Sequence, residues 1–298
     1  MGKIGWKGVM PVVVTPFDQD GNLVEENLRT MIRLLIDDGV HGIIAAASTG
    51  EYYAMSDEER CRVFRIVAEE ARSIKPDLTL IAHTTSLIPD NCIQLSKEAQ
   101  KLGYDGVMIM PPTYATPSKK QIIDNYRYLG ANIDLPIMLY NAPKWTCTNL
   151  DPSWLEELVK VENIKAIKES SRNIEQILET IRLFHNDLAV FVGLETMIVP
   201  TMALGGDGVV AMFVQAMGHA VVELYELCVQ GRYEEARKLQ WAVSQMYGCY
   251  KHGTHYATIK EACNQVGRPA GYPRRPLTLP NEEEKAEIGK ILVELGLK

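Results

Sequence analysis

No two of the six cysteines (Cys61, Cys92, Cys147, Cys228, Cys249, Cys263) stand in a CxxC pair, and the chain contains no HExxH. Single scattered cysteines in a chain this long read as reduced, mostly buried thiols. A metal centre finds no ligand set: "KHGTHY" offers His252 and His255 without a third partner, and the pair reads as structural or surface histidine. Lysine and arginine never run beyond two or three together and the formal net charge is -7, which argues against nucleic acid or an anionic membrane as partner. No apolar stretch reaches the ~18–20 residues of a bilayer span. "MGKIGWKGVM" lacks the apolar core of a secretion signal, and Trp6 stands where myristoylation needs Ser or Thr. The expectation is a soluble, cytoplasmic protein that handles small molecules without cofactor or metal.

What the sequence does have is alternation. Of 298 residues, 46% are hydrophobic and 23% charged, enough for a large core. Eight short apolar runs recur: 8–17, 42–48, 78–84, 106–112, 135–141, 164–170, 188–193 and 208–213. Helical patterns with start signals lie between them. "SDEE" from Ser56 and "SKKQ" from Ser118 are capping boxes, and "LDPSWLEEL" sets Asp151 at an N-cap with Pro152 at the first helical position. Connections this long return the chain parallel, and strands this uniformly apolar have both faces covered. The pattern predicts an α/β fold: a single (β/α)8 TIM barrel over 1–225, with a helical C-terminal extension over 226–298 packed on it.

Active sites of such barrels lie at the C-terminal strand ends. In the sixth run, "IKAIKES", alternation puts Ile164, Ala166 and Lys168 on one face, with Lys168 at the far end; Lys165, near the start, can snorkel outward. The plain alternative is a lysine paired with Glu169. A lysine amine is mostly protonated near neutrality, but an apolar pocket lowers its pKa to roughly 7 or 8, and the free amine then forms a Schiff base with a 2-oxo acid. Tyr140 closes the fifth run in "MLYNAP" and can move protons. Ser48, Thr49 and Gly50 follow the second run, supplying hydroxyls and turn N–H groups for an anion.

The order and spacing of "VVTPFDQDGNLVEENL", "STGE", "YNAP", "IKAIKESS", "VGLE" and "GGDGVV" resemble the dihydrodipicolinate synthase and N-acetylneuraminate lyase family of Schiff-base aldolases over nearly the whole chain. The resemblance implies Lys168 as Schiff-base lysine, Tyr140 as general acid/base, and Ser48 and Thr49 as the hydroxyl pair. It implies that Tyr114, in "PPTYATP", crosses a tight dimer interface into a neighbour's relay, within a homo-oligomer that is a dimer or homotetramer. Gly193 and the backbone of Val210 fall where the family lines its 2-oxo acid pocket. Departures also stand out. Synthases of lysine biosynthesis resemble "YNVPxRT", whereas "YNAPKWT" has Trp145 in place of the arginine that holds the second carboxylate, with Lys144 adjacent. Arg172 replaces a glycine common after the family's lysine stretch, and Ala47 stands where the lyase branch has glycine.

The leading expectation is a lyase that condenses pyruvate with an aldehyde or cleaves the product. Authentic 4-hydroxy-tetrahydrodipicolinate synthase and a 2-keto-3-deoxy sugar acid aldolase or dehydratase stay open, as does a non-catalytic 2-oxo acid sensor. A phosphate-dependent barrel would need its glycine-rich cradle after strands seven and eight; "GGDG" precedes strand eight.

Overall fold

The structure, a computed structural model, describes residues 2–298. All eight apolar runs contain strands: β1 (Gly8–Pro11), β2 (Gly42–Ala45), β3 (Thr79–His83), β4 (Gly106–Ile109), β5 (Ile137–Asn141), β6 (Ile164–Glu169), β7 (Ala189–Val192) and β8 (Gly208–Ala211). Several are shorter than their runs because the last apolar residues leave the sheet as βα loops. The ladders are parallel in the order β1-β8-β7-β6-β5-β4-β3-β2. A parallel bridge between Val12 and Ile44 closes the ring, with Val13 N donating to Ile44 O at 3.1 Å. The fold is the expected TIM barrel.

The uniform hydrophobicity of the strands follows from their two buried faces. Met10, Ile44, Ile81, Met108, Met138, Phe191 and Val210 pack with one another inside the barrel. Val9, Ile43, Leu80, Val107, Leu139, Val190 and Val209 pack outward against the helices. At the β1/β8 seam a Cβ on Gly208 would lie 2.1 Å from Gly8 O, so only glycine lets these backbones meet. The predicted caps form. Ser56 and Ser118 make reciprocal bonds with Glu59 and Gln121, and Asp151 accepts from Ser153 N.

Strand β6 departs from simple alternation. Ile137 pairs with Ile164 but Met138 pairs with Ala166, leaving Lys165 as the extra residue of a bulge. Ile164 therefore packs in the outer layer with Ile167 and does not share the Lys168 face; Ala166 packs in the interior. The bulge rephases the strand so that its last inward position falls on Lys168.

The helix His219–Val229 runs through position 225, so the expected boundary lies inside an element and the first break falls at Gly231. Among the described residues no helix is long and apolar enough to cross a membrane. Of the later helices, His255–Gln265 is built into the barrel. Its Lys260, fully buried, places Nζ 2.5 Å from Glu51 Oε1, also fully buried, and donates to Thr15 O at 2.7 Å and Tyr272 O at 2.8 Å. Burial pulls the Lys260 ammonium down to about 8 while Glu51 works to raise it. Removing one partner of such a pair strands the other charge, at a cost of roughly 3–5 kcal/mol. Lys260→Met should lose stability on that scale in urea denaturation, and Glu51→Gln/Lys260→Met should lose less than the sum of its single changes. Simple additivity would show that the two groups are not coupled.

Candidate active site

Lys168 ends β6 between Tyr140 of β5 and Phe191 of β7, its partners in the ladders. It is 3% exposed, and its Nζ lies 4.0 Å from the centroid of the Tyr140 ring. Among the described residues no carboxylate forms an ion pair with it. Glu169, the pairing partner of the plain reading, is turned to the other side and fully buried. It accepts from Asn141 Nδ2 at 2.9 Å, Gln176 Nε2 at 3.0 Å and Ser171 N at 2.6 Å. Burial raises the Glu169 carboxyl, and these donors only partly offset it. Lys168 thus keeps an uncommitted amine, and Glu169 ties the ends of β5 and β6 together.

The cavity above Lys168 has a volume of about 60 Å³ and is lined by Ser48, Thr49, Tyr140, Lys144, Trp145 and Gly193 among the residues singled out from sequence. Gly193 is required by close approach: a Cβ there would lie 1.9 Å from Ser170 Oγ and 3.0 Å from Lys168 Cε. The turn that carries Ser48 and Thr49 is closed by Glu51 N donating to Ser48 O at 3.1 Å, and the Glu51 carboxylate anchors it to Lys260.

Three expected residues stand elsewhere. Gly50 packs its turn onto the segment after β1 and does not line the cavity: its carbonyl accepts from Thr15 Oγ1 at 2.7 Å, and a Cβ would come within 2.9 Å of Val13 O. Val210 is fully buried in the barrel interior, two residues short of Met212, which does reach the cavity. Tyr114 is 97% exposed on the loop after β4, outside the cavity of its own chain.

Other lining residues escaped the sequence reading. Ser170 follows Lys168 by two, on the same side, and its buried Oγ has no partner; continuing the alternation past the strand end would have found it. Arg172 had been noted only as a departure, yet it lines the cavity. His255 and Tyr256 come from the C-terminal extension, so the structural-or-surface reading of His255 is corrected: it faces the site. Its ring stacks on Tyr250 at 3.8 Å. Burial first, then the charges of Lys144, Arg172 and Lys168, pull it down to about 4. Burial pushes the Tyr256 phenol up. At neutral pH the site therefore holds a neutral imidazole and a protonated Tyr256 phenol, and its lining includes no carboxylate.

The depressed His255 has a consequence for acid stability. Between 6.5 and about 4 the unfolded chain binds a proton that the folded chain refuses, so stability present above pH 6.5 is lost as pH falls through that window. The loss from this group should reach about 3 kcal/mol by the lower end. Urea midpoints at pH 7 and 4.5 should fall further apart in the native protein than in His255→Gln; equal losses would remove His255 from the acid limb.

A family model described as the dihydrodipicolinate synthetase family matches residues 5–295. The 4-hydroxy-tetrahydrodipicolinate synthase of Moorella thermoacetica is 31% identical, over 98% of this chain and 99% of that one. An uncharacterized DapA-like lyase of Rhizobium meliloti is 34% identical, over 97% and 95%. Among solved structures, a prophage protein of the dihydrodipicolinic acid synthase family from E. coli K12, in complex with pyruvate, superposes with a TM-score of 0.94 at 26% identity, covering 99% of this chain and 100% of the other.

Proposed function

The chain belongs to the dihydrodipicolinate synthetase family, whose members are lyases of the class I aldolase type, and from that premise we propose that it joins a 2-oxo acid to an aldehyde, or reverses that step, through a Schiff base on Lys168. The observation that carries this reading is a buried lysine without an ion-pair partner, beside a tyrosine, lining a cavity that has no carboxylate. Pyruvate is the smallest 2-oxo acid with a C3 proton to lose, as enamine chemistry requires. The E. coli neighbour's complex with pyruvate supports the same choice.

In the condensing direction the Lys168 amine attacks C2 of pyruvate, and the carbinolamine loses water to give a protonated imine. Loss of a C3 proton gives the enamine, whose C3 forms the new bond to the aldehyde carbon while the aldehyde oxygen takes a proton. Water then hydrolyses the imine, releasing product and the free amine. Tyr140 is placed to carry these protons. Ser48 and Thr49 hold the pyruvate carboxylate by hydroxyl and turn N–H groups. Trp145 stands where the synthases' arginine would hold an acceptor carboxylate, and an indole makes no ion pair with one; authentic 4-hydroxy-tetrahydrodipicolinate synthase, the function named for several relatives, is the alternative. A 2-oxo acid sensor has no use for the nucleophile.

In this reading the protein works in the cytoplasm as a homo-oligomer, dimer or tetramer, with Tyr114 reaching a partner's relay.

Borohydride in the presence of pyruvate should fix a secondary amine on Lys168, located by peptide mapping, and Lys168→Ala should lose it. Full turnover in that variant would end the mechanism. Tyr140→Phe should slow turnover by roughly 10²- to 10⁴-fold. Sedimentation should give at least a dimer; an active monomer would contradict the role of Tyr114.

A further inference from the structure

Apart from Lys168, two cations line the cavity. Among the described residues neither Lys144 nor Arg172 makes an ion pair, and the lining includes no aspartate or glutamate. Elsewhere, guanidinium groups near carboxylates are committed to them: Arg268 holds Asp38 at 2.6 Å and Arg274 holds Glu59 at 2.5 Å. Lys144 and Arg172 share the cavity lining with Lys168, although they come from the loops after two different strands. Lys144 has a defined seat, its Nζ 4.8 Å over the Trp145 ring.

The backbone adds an independent observation. Arg172 has φ 65°, in the left-handed region that glycine enters freely and a β-carbon disfavours. Its neighbours hold it there. Ser171 N donates to Glu169 Oε1 at 2.6 Å, Asn173 N donates to Ser171 Oγ at 3.2 Å, and the Asn173 side chain caps the helix Ile174–Phe184. A strained residue fixed on both sides at the mouth of a site keeps its long side chain for a reason other than folding.

We propose that Arg172 and Lys144 form a second anion subsite, which takes the remote carboxylate of a substrate that carries two: the cleavable 2-oxo diacid, or the acid-bearing aldehyde from which it forms. This rests on the Schiff-base reading, which assigns the first carboxylate to the Ser48–Thr49 turn and leaves these two cations without an anion. Trp145 removes one way of holding an acceptor carboxylate, and Arg172 supplies another from the next strand's loop, with the planar fork that suits a carboxylate.

The test measures the concentration giving half-maximal borohydride capture at low salt. 2-Oxoglutarate and 2-oxoadipate are set against the branched monoacids of matching shape, 5-methyl-2-oxohexanoate and 6-methyl-2-oxoheptanoate, with pyruvate as reference. At least one diacid should be captured at about tenfold lower concentration than its monoacid, the scale of one charge-assisted hydrogen bond. In Arg172→Gly, where glycine fits the backbone and thermal stability should hold or rise, that ratio should fall towards one. Pyruvate capture without a diacid preference, or a preference kept in full by Arg172→Gly, overturns the subsite and leaves the Schiff-base reading standing. No capture of pyruvate by the native protein overturns both.

Discussion

Lys260 reaches from the helix His255–Gln265 into space closed to solvent and meets Glu51, the residue that closes the turn carrying Ser48 and Thr49. Its other two bonds go to the carbonyls of Thr15 and Tyr272, so one ammonium group ties together the chain after β1, the turn after β2 and the segment between the last two helices. An isolated buried charge would be costly, and this one is tolerable because every donor has a nearby acceptor. The position of the Ser48–Thr49 turn depends on this clamp. The same helix brings His255 and Tyr256 to the cavity, so the C-terminal helices are part of the active site as much as of the scaffold.

The two buried lysines are treated in opposite ways. Lys260 is surrounded by oxygen acceptors and is structural. Lys168 has its Nζ over the face of the Tyr140 ring and lines the cavity, with its nearest carboxylate in sequence, Glu169, bound on the far side of the strand by Asn141, Gln176 and Ser171. Burial alone does not separate a reactive amine from a structural one. The difference lies in whether the surroundings complete its hydrogen bonds or leave that to a ligand.

The eight strands were legible because buried parallel strands leave continuous apolar runs, and Lys168 and Tyr140 were legible because they interrupt such runs at the end where barrel chemistry takes place. The bulge at Lys165 was not, since an extra residue leaves no mark in composition; Lys168 was placed inward by an alternation that Ile164 does not obey. Gly50 was read as an anion-holding amide; it does not line the cavity, and its close approach to Val13 and Thr15 shows how its turn packs. His255 and Tyr256 were invisible as site residues for a different reason: the contacts that bring them to Lys168 are tertiary, and nothing in "KHGTHY" encodes where its helix docks.

Gly193 determines where this site can change. A Cβ on Gly193, just past β7, would meet Ser170 Oγ and press on Lys168 Cε at 3.0 Å, so a side chain there would crowd the lysine. Lys168 and Tyr140 are likewise fixed by strand pairing. Trp145, Arg172 and His255 belong to loops and an added helix, and can be exchanged without disturbing a barrel ladder. On the Schiff-base reading, the bond chemistry lies at the floor and the choice of substrate at the rim, so the second can change while the first stays as it is.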